Sequence, residues 1–405
     1  MKTNLQRFWI VTLSLVVLSW TCPPSQAAPQ DANKPAKSTA ASQSANADAI
    51  ANTNATASEY QVGIYYFAGW WREMPNKWHM GDKDWRPDWP QRVPTLGEYN
   101  EQATMDREIA AAADHGVAFF QILYYVVPKS LADEPHIEKL NVALEQFMKS
   151  PNAHRMKFTL EWVNHPPFDK LSDAEWVDVC KIWAAAMKHP SYLRIDGRPV
   201  FKIHGYAAFR GQGEPLALAR LATLRKTVRD AGAGEIMLSS GILDSPVPAD
   251  AFSNEFDFLT TYMWLPELPQ VAEPYPYAKL IDFAENIWKL QNDHSPRPYV
   301  PYVPSGWDPR PWKDPRCSFE MPNRQQWTDA LKRAKHALDT SKNLGVPTKN
   351  ERIKGGRVKM VLIYAWNEFG EGGIVAPTRG DGTMKLEAIR DVFGPASASS
   401  APAAK

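Results

Sequence analysis

Short apolar runs alternate with segments of helical periodicity between residues 60 and 394. The apolar runs predict strands at Val62–Trp70, Val117–Val126, Met156–Asn164, Pro199–Gly205, Ile236–Ile242, Phe256–Trp264, Tyr299–Ser305 and Val358–Trp366. The periodic segments predict helices at Tyr99–His115, His136–Ser150, Ala174–His189, Leu216–Ala231, Ala249–Ser253, Tyr277–Asn292, Arg324–Lys342 and Met384–Phe393. Apolar runs of this continuous kind are typical of parallel strands covered on both faces.

Strands that are each followed by a helix, eight times over, are the pattern of a (β/α)8 barrel. We therefore predict an α/β protein in which residues 59–394 form a single-domain (β/α)8 TIM barrel. An open, doubly wound sheet is the main rival, but no Gly-rich phosphate loop follows the first strand. In a barrel, functional side chains gather at one face, where the strands end.

The first residues have the pattern of a targeting segment. Lys2 and Arg7 precede an apolar stretch from Phe8 to Trp20, and Ser25-Gln26-Ala27 places small residues where a signal peptidase reads. We predict a signal peptide over residues 1–27 and export to the periplasm or the cell exterior.

Cys22 raises the alternative of lipid attachment, which we disfavour because Thr21 fits a lipoprotein cleavage site poorly. Residues 28–58 are mainly Ala, Ser, Asn, Thr and Gln, and residues 395–405 are similar. Such segments bury too little apolar surface to offset the entropy of ordering, so we predict a disordered linker and a disordered tail. After signal removal we expect no stable membrane insertion.

Composition limits the partners. The 405 residues carry a formal charge of +1, which gives no bias toward nucleic acid or anionic membranes. The 16 Trp and 14 Tyr supply flat faces of the kind that stack on sugar rings, although large cores also use Trp. We expect a monomer with a carbohydrate ligand, no cofactor and no metal, and we interpret Cys180 and Cys317 as unpaired thiols.

The last apolar run leads directly into the strongest candidate for chemistry. Glu368 and Glu371 follow it, set among Trp366, Asn367 and glycines, and two acids have no obvious packing use there. Cleavage of a glycosidic bond ordinarily requires two carboxyl groups, one to protonate the departing oxygen and one as base or nucleophile. The bare Glu-x-x-Glu pattern is common on solvated helices, so a structural loop is the alternative.

Other strand ends contribute candidate ligand contacts that are aromatic, amide or acidic. These are Tyr66, Trp70, Trp71, Tyr124, Tyr125, Glu161, Trp162, Asn164, His204, Tyr262, Trp307 and Asn367. Such a set suits a neutral polyhydroxylated ligand. Several have a structural alternative: Trp70 and Trp71 can pack their loop onto the barrel, Tyr124, Tyr125 and Tyr262 can cap the core, Glu161 can bond a loop amide and His204 can be a satisfied buried imidazole.

Several segments resemble known families. Tyr364-Ala-Trp-Asn-Glu-Phe-Gly-Glu-Gly372 resembles the Asn-Glu-Trp-x-Glu-Gly signature of glycoside hydrolase family ninety-nine (GH99) and, more closely, the WbsX-type proteins. The stretch from His189 to Phe201, Gly306-Trp-Asp-Pro-Arg310 and Gly63-Ile-Tyr-Tyr-Phe67 are similar to the same group.

The resemblance implies a barrel that hydrolyses glycosidic linkages, with endo-acting retaining α-mannosidases as relatives. It implies that Glu368 takes a proton from the sugar's own 2-hydroxyl and that Glu371 acts as acid and then base. The sequence differs at Gly370, where the mannosidases have His. Many WbsX-type members are labelled glycosyltransferases, so a transferase is one alternative and a non-catalytic carbohydrate-binding barrel is another.

Asp82-Lys83-Asp84 matches the Asp-x-Asp pattern with which many glycosyltransferases hold a metal and a nucleotide diphosphate. Three residues match often by chance, and no nucleotide-binding unit surrounds these. We interpret the match as fortuitous.

Overall fold

The computed structural model describes residues 59–394 except Arg352. In this part of the chain a parallel sheet curves into a barrel. Its strands are β1 (Tyr60–Tyr66), β2 (Phe119–Tyr124), β3 (Lys157–Trp162), β4 (Arg198–Ile203), β5 (Met237–Gly241), β6 (Phe258–Thr260), β7 (Tyr299–Val300 and Tyr302–Pro304) and β8 (Arg357–Tyr364). Every predicted strand overlaps one of these, and the predicted (β/α)8 barrel is confirmed.

The barrel closes through β7, which is divided at Pro301. The first half of β7 pairs with β6, the second half pairs with β8, and β8 pairs with β1. Proline has no backbone N–H to give to a ladder, so it is tolerated where a strand changes partners. The Pro301 carbonyl still accepts a hydrogen bond from Leu362 N at 3.0 Å.

Helices cover the outside of the barrel. Within the described residues they are α1 (Gln102–Asp114), α2 (Val142–Lys149), α3 (Asp173–Ala186), α4 (Tyr206–Arg210), α5 (Glu214–Asp230), α6 (Tyr277–His294), α7 (Arg324–Thr340) and α8 (Met384–Phe393). Local sequence explains where some begin: Ser172 with Glu175 and Asn323 with Gln326 form capping boxes at α3 and α7. None of these helices is both long and apolar enough to span a membrane.

The helix predicted at Ala249–Ser253 is wrong. The chain instead makes a single 3₁₀ turn at Ser253–Glu255. The side chain of Asp250 accepts a hydrogen bond from Ser253 N at 2.9 Å, and Asp250 N donates to Ser253 Oγ at 3.1 Å. These local bonds compete with helical ones.

The stretch from His189 to Phe201 builds the entry to β4. Arg194–Ile195 pairs antiparallel with the start of β4 across a turn at Asp196 and Gly197, whose φ angles are 52° and 75°. Two positive φ values define the turn that best matches the twist of a hairpin. The role of this segment is therefore structural. The predicted signal peptide, linker and tail, and Cys22, lie outside the described residues.

Candidate active site

Glu368 and Glu371 lie at the carboxyl end of β8. Asn367–Glu368 pairs with Gly373–Ile374 in a small antiparallel ribbon, which turns the intervening residues back sharply. The Glu368 carbonyl accepts hydrogen bonds from Glu371 N at 3.1 Å and Gly372 N at 2.9 Å. The two acids are only 6% and 8% exposed, so both carboxyl groups are largely removed from water.

Two glycines are required for this loop. Gly372 has a φ of +84°, and a Cβ there would lie 2.8 Å from Asp308 N. A Cβ on Gly370 would lie 2.0 Å from the indole of Trp312. The Trp312 ring thus occupies the space that a side chain at position 370 would take.

The two acids have different surroundings. Tyr262 donates a hydrogen bond to Glu368 Oε1 at 2.7 Å, and burial together with the charge of Glu371 raises the pKa of Glu368 to about 8. Glu371 accepts a hydrogen bond from the Tyr364 hydroxyl, and Arg316 Nη2 lies 3.4 Å from its Oε1. The pair therefore combines one acid that holds its proton near neutral pH with one that faces donors and a cation.

Lys77 is the second cation near the pair. Its ammonium group lies 4.9 Å from the ring centroid of Trp312 and 5.3 Å from that of Phe67. Burial lowers the pKa of Lys77, whereas the charges of Glu368 and Glu371 act in the opposite direction. The positive charge of Lys77 in turn opposes the rise in the pKa of Glu368.

A third carboxylate lies inside the barrel. Glu161 Oε1 accepts hydrogen bonds from Lys202 Nζ at 2.8 Å and, when the ring is so protonated, from His204 Nδ1 at 2.6 Å. Lys202 Nζ also donates to Tyr65 Oη at 2.9 Å. Burial alone would raise the pKa of Glu161, but Lys202 and His204 outweigh it and the pKa is lowered. The His204 ring lies 5.0 Å from Tyr262, which connects this network to Glu368.

Tyr125 and Trp307 complete the group that the structure brings together. Burial and the charges of Glu368, Glu161 and Glu371 raise the pKa of Tyr125 well above its usual value, which places its hydroxyl in the field of all three acids. Trp307 lies 6.0 Å from Tyr364, and the Arg316 guanidinium covers its ring at 4.4 Å.

Three predicted ligand contacts point to the outer face of the barrel, and the structure contradicts them. Tyr66 is fully buried and donates to Glu108 Oε2 on α1 at 2.7 Å. Trp162 is fully buried at 4.9 Å from Trp176 on α3, and Tyr124 packs on Trp183 of the same helix. Successive strand residues face opposite sides, so these side chains belong to the layer between sheet and helices.

Other predicted contacts use their polar groups within the protein. Asn367 bonds both N and O of Phe67, at 2.9 and 2.7 Å, and Asn164 bonds both N and O of Gly205, at 2.6 and 3.0 Å. Each side-chain amide thereby joins two neighbouring strands beyond the end of their backbone hydrogen-bond ladder. Trp70 is 1% exposed and its Nε1 donates to the Asn367 carbonyl at 2.7 Å, so it supports the loop rather than contacting a ligand. Trp71 lies apart, at a peripheral cavity.

Four residues near the acids were not predicted from the sequence: Lys77, Lys202, Arg316 and Tyr364. Lys202 is visible in the sequence as a charged residue within the apolar run Pro199–Gly205, and the structure pairs it in register with Glu161. Tyr364 is the last residue of β8. Lys77 and Arg316 lie on loops, where no periodicity shows which way a side chain points.

No group of three or more His, Cys, Asp or Glu side chains that could hold a metal occurs in the described part of the chain. In the Asp-x-Asp segment, the Asp84 carboxylate accepts hydrogen bonds from the Arg86 guanidinium at 2.7 to 3.0 Å. That pairing is consistent with a fortuitous match.

The chain is thus a (β/α)8-barrel protein with a buried pair of acids at the end of its eighth strand. The model of the family described as glycosyltransferase WbsX matches residues 71–389, and the chain belongs to this family. The predicted WbsX resemblance is thereby confirmed.

Proteins similar to the chain include sequence relatives and solved structures. Two uncharacterised WxcX proteins from strains of Xanthomonas campestris pv. campestris are 27% identical over 223 residues. The match covers 52% of this chain but 29% of theirs, so the chain spans less than a third of those relatives. The GH99 endo-α-mannosidase from Bacteroides thetaiotaomicron, solved with bis-tris propane, has a TM-score of 0.50 and 15% identity over 82% of this chain and 97% of its own. At that identity the likeness shows the fold alone.

Proposed function

We propose that this protein hydrolyses glycosidic bonds in a glycan or polysaccharide, with Glu368 and Glu371 as the two carboxyl groups. The observation that carries the proposal is the pair itself: two buried acids, three residues apart, with different hydrogen-bond and charge partners. Different environments are how two carboxyl groups take different roles in one site. Tyr125, Tyr262 and Trp307 add rings and hydroxyl groups for a polyhydroxylated substrate.

We assign the roles as the family resemblance implies. Glu368 accepts the proton of the sugar's 2-hydroxyl as that oxygen attacks the anomeric carbon. When water opens the resulting intermediate, Glu368 returns this proton to the 2-oxygen and the configuration is retained. Glu371 donates a proton to the departing oxygen and later takes one from water. A pKa of about 8 makes Glu368 a stronger base than an ordinary carboxylate while leaving part of it ionised near neutral pH.

The test is a glycan panel incubated with the full chain, with products resolved by mass. Glu368→Gln and Glu371→Gln should each lower turnover by roughly 10²-fold or more. Glu108→Gln is the matched control, since Glu108 is also buried, with a pKa raised by burial to about 7, but faces Tyr66 outside the site. Full activity of Glu371→Gln on a confirmed substrate would refute the assignment.

An aryl glycoside with a good leaving group separates the two roles. Such a substrate needs little protonation of its departing oxygen. Glu371→Gln should therefore recover much of its activity on the aryl glycoside, whereas Glu368→Gln should stay impaired. The reverse pattern would exchange the two roles.

Glycosyl transfer is the second candidate, because the family model carries that description. It predicts saturable binding of a nucleotide sugar and incorporation of its sugar into an acceptor. Calorimetric titration with a set of nucleotide sugars distinguishes the two, since the hydrolase proposal predicts no such binding. A glycan that binds without yielding any product would instead indicate a carbohydrate-binding barrel.

We further propose that the chain is exported after cleavage of residues 1–27. N-terminal sequencing of protein recovered from the periplasm or medium should begin at Ala28. A lipid-modified Cys22 at the N-terminus would contradict this.

A further inference from the structure

We infer that a cavity beside the loop after β1 is a second sugar-binding site, peripheral to the acid pair. The cavity has a volume of about 190 Å³ and lies between residues 68–73, residues 99–101 and the start of α2. That volume is below the roughly 300–1,000 Å³ of sites that enclose drug-sized ligands, so it suits a single sugar ring. The inference deepens the proposed function and rests on it in one respect, the expectation of a polymeric glycan.

Trp71 supplies the flat surface. It is partly exposed at the cavity, and its Nε1 donates to the Pro75 carbonyl at 2.7 Å, which fixes the plane of the ring. A fixed indole face loses little entropy when the apolar side of a sugar stacks on it. The hydrogen bond and the ring contact of Trp71 are with Pro75 and His136, not with Glu368 or Glu371, so its partly exposed ring is available to a ligand in this cavity.

The rim of the cavity consists of two pairs of oppositely charged side chains. Arg72 Nη2 lies 2.8 Å from Glu101 Oε1, and Lys139 Nζ lies 2.6 Å from Glu73 Oε2. Exposed pairs of this kind contribute only about 0–1 kcal/mol to folding. Together they offer donors and acceptors without net charge, which matches sugar hydroxyl groups and gives no preference for a charged ligand.

The inner wall connects the cavity to the catalytic loop. Trp70 forms part of that wall, and its Nε1 bonds the carbonyl of Asn367, the residue before Glu368. Asn100, which also lines the cavity, accepts a hydrogen bond from Trp70 N at 2.8 Å. The Trp70 indole thus lies between the cavity and the segment that carries Glu368. The cavity is at the end of the barrel where the acids lie. A glycan chain held at Trp71 raises the local concentration of its own linkages near Glu368.

The test combines binding and turnover in the full chain. Native electrophoresis is run through gels containing soluble mannan, glucan, galactan or xylan, and kcat/KM is measured on the retarding polysaccharide and on a short aryl glycoside. Trp71→Ala and Arg72→Ala should each weaken retardation and lower kcat/KM on the polymer by roughly 5- to 20-fold, with kcat/KM on the aryl glycoside unchanged.

A control variant lies elsewhere on the surface. Arg324→Ala removes an exposed arginine that pairs with Glu387 at 2.6 Å. It should behave as wild type. Arg72 is 65% exposed, so its variant remains informative if Trp71→Ala folds poorly.

Unchanged retardation of the folded Arg72→Ala and Trp71→Ala proteins would overturn the second site, as would a wild-type protein that none of the four polysaccharides retards. Failure of the proposed function is a different result: the polysaccharide retards wild type and not the cavity variants, yet no product forms. Retardation of Glu371→Gln at the wild-type level would confirm that binding is independent of the acid pair.

Discussion

Burial and the neighbouring charge of Glu371 act strongly on Glu368. Its pKa of about 8 lies above the ordinary glutamate value of about 4.3. The folded protein therefore favours the protonated carboxyl group. The associated stability is fully present below the unfolded pKa and is lost as the pH rises through about 8.

Replacing Glu368 with Gln should stabilise the protein in a pH-dependent way. The amide keeps the acceptor for Tyr262 but cannot ionise, so the free energy of unfolding should exceed that of wild type by roughly 1–3 kcal/mol at pH 8 and little at pH 5. Urea unfolding at the two pH values measures this. Partly exposed Glu387 serves as the control position, where Gln should give no gain at pH 8. An equal effect of Glu368→Gln at both pH values would contradict the raised pKa.

The pH dependence of turnover should also reflect the ionisation of Glu368. A base must be ionised, so kcat/KM should rise about tenfold per pH unit below pH 8 and then level. The profile is measured with the aryl glycoside, in the range where circular dichroism shows that the protein stays folded. If kcat/KM falls through this range, Glu368 acts as the acid.

Gly370 and Trp312 should be energetically coupled. A methyl group at position 370 would lie 2.0 Å from the indole, so Gly370→Ala should cost roughly 1–3 kcal/mol through overpacking. Trp312→Ala in the same chain should remove part of that cost, and a double-mutant cycle on urea unfolding measures the coupling. Gly205→Ala is the control, since its Cβ would meet the nearest atom at 3.4 Å. Additive effects would contradict the contact.

The loops after β1, β7 and β8 are held together by a buried ion pair. Arg92 and Asp308 are each 2% exposed, and Arg92 Nη1 donates to the Asp308 carbonyl at 2.7 Å and the Phe369 carbonyl at 3.3 Å. Asp308 N donates to the Glu371 carbonyl at 2.6 Å. Burial lowers the pKa of Arg92 to about 10, although Asp308 counteracts it. The pair therefore positions the segment that carries both acids.

Asp308→Ala should leave Arg92 buried without its charge partner. We expect a loss of about 3–5 kcal/mol in unfolding free energy, together with a lower kcat. Asp282→Ala breaks an exposed pair with Arg333 and should cost no more than about 1 kcal/mol. Urea titration of both variants gives the comparison. Similar costs would show that the buried pair has no special role.

Across the whole barrel, the two described cysteines are buried and unpaired. Cys180 lies on α3 and Cys317 on the loop after β7, and both are free thiols. Burial raises the pKa of Cys180 to about 12, which makes its thiol unreactive in the folded protein. Alkylation followed by peptide mass analysis should label both residues only after unfolding. A peptide pair joined through Cys180 and Cys317 would contradict this.

Much of the architecture could be predicted because a doubly covered parallel strand must be apolar on both faces. That requirement produced the apolar runs which located β1 to β8. The helix predicted near Ala249 failed because Asp250 and Ser253 offered competing local bonds, which a periodicity pattern does not include. The placement of Glu368 and Glu371 followed from the end of β8, while their catalytic role stays a prediction.

The sequence by itself determined the order of strands and helices and the position of two acids beyond the last strand, because these depend on neighbours along the chain. Only the tertiary structure decided that Tyr66 and Trp162 face the helices and that Lys77 and Arg316 reach the acid pair. The direction of a side chain depends on residues far away in sequence. The raised pKa of Glu368 has the same origin, since burial by residues distant in sequence acts on it only after the barrel has closed.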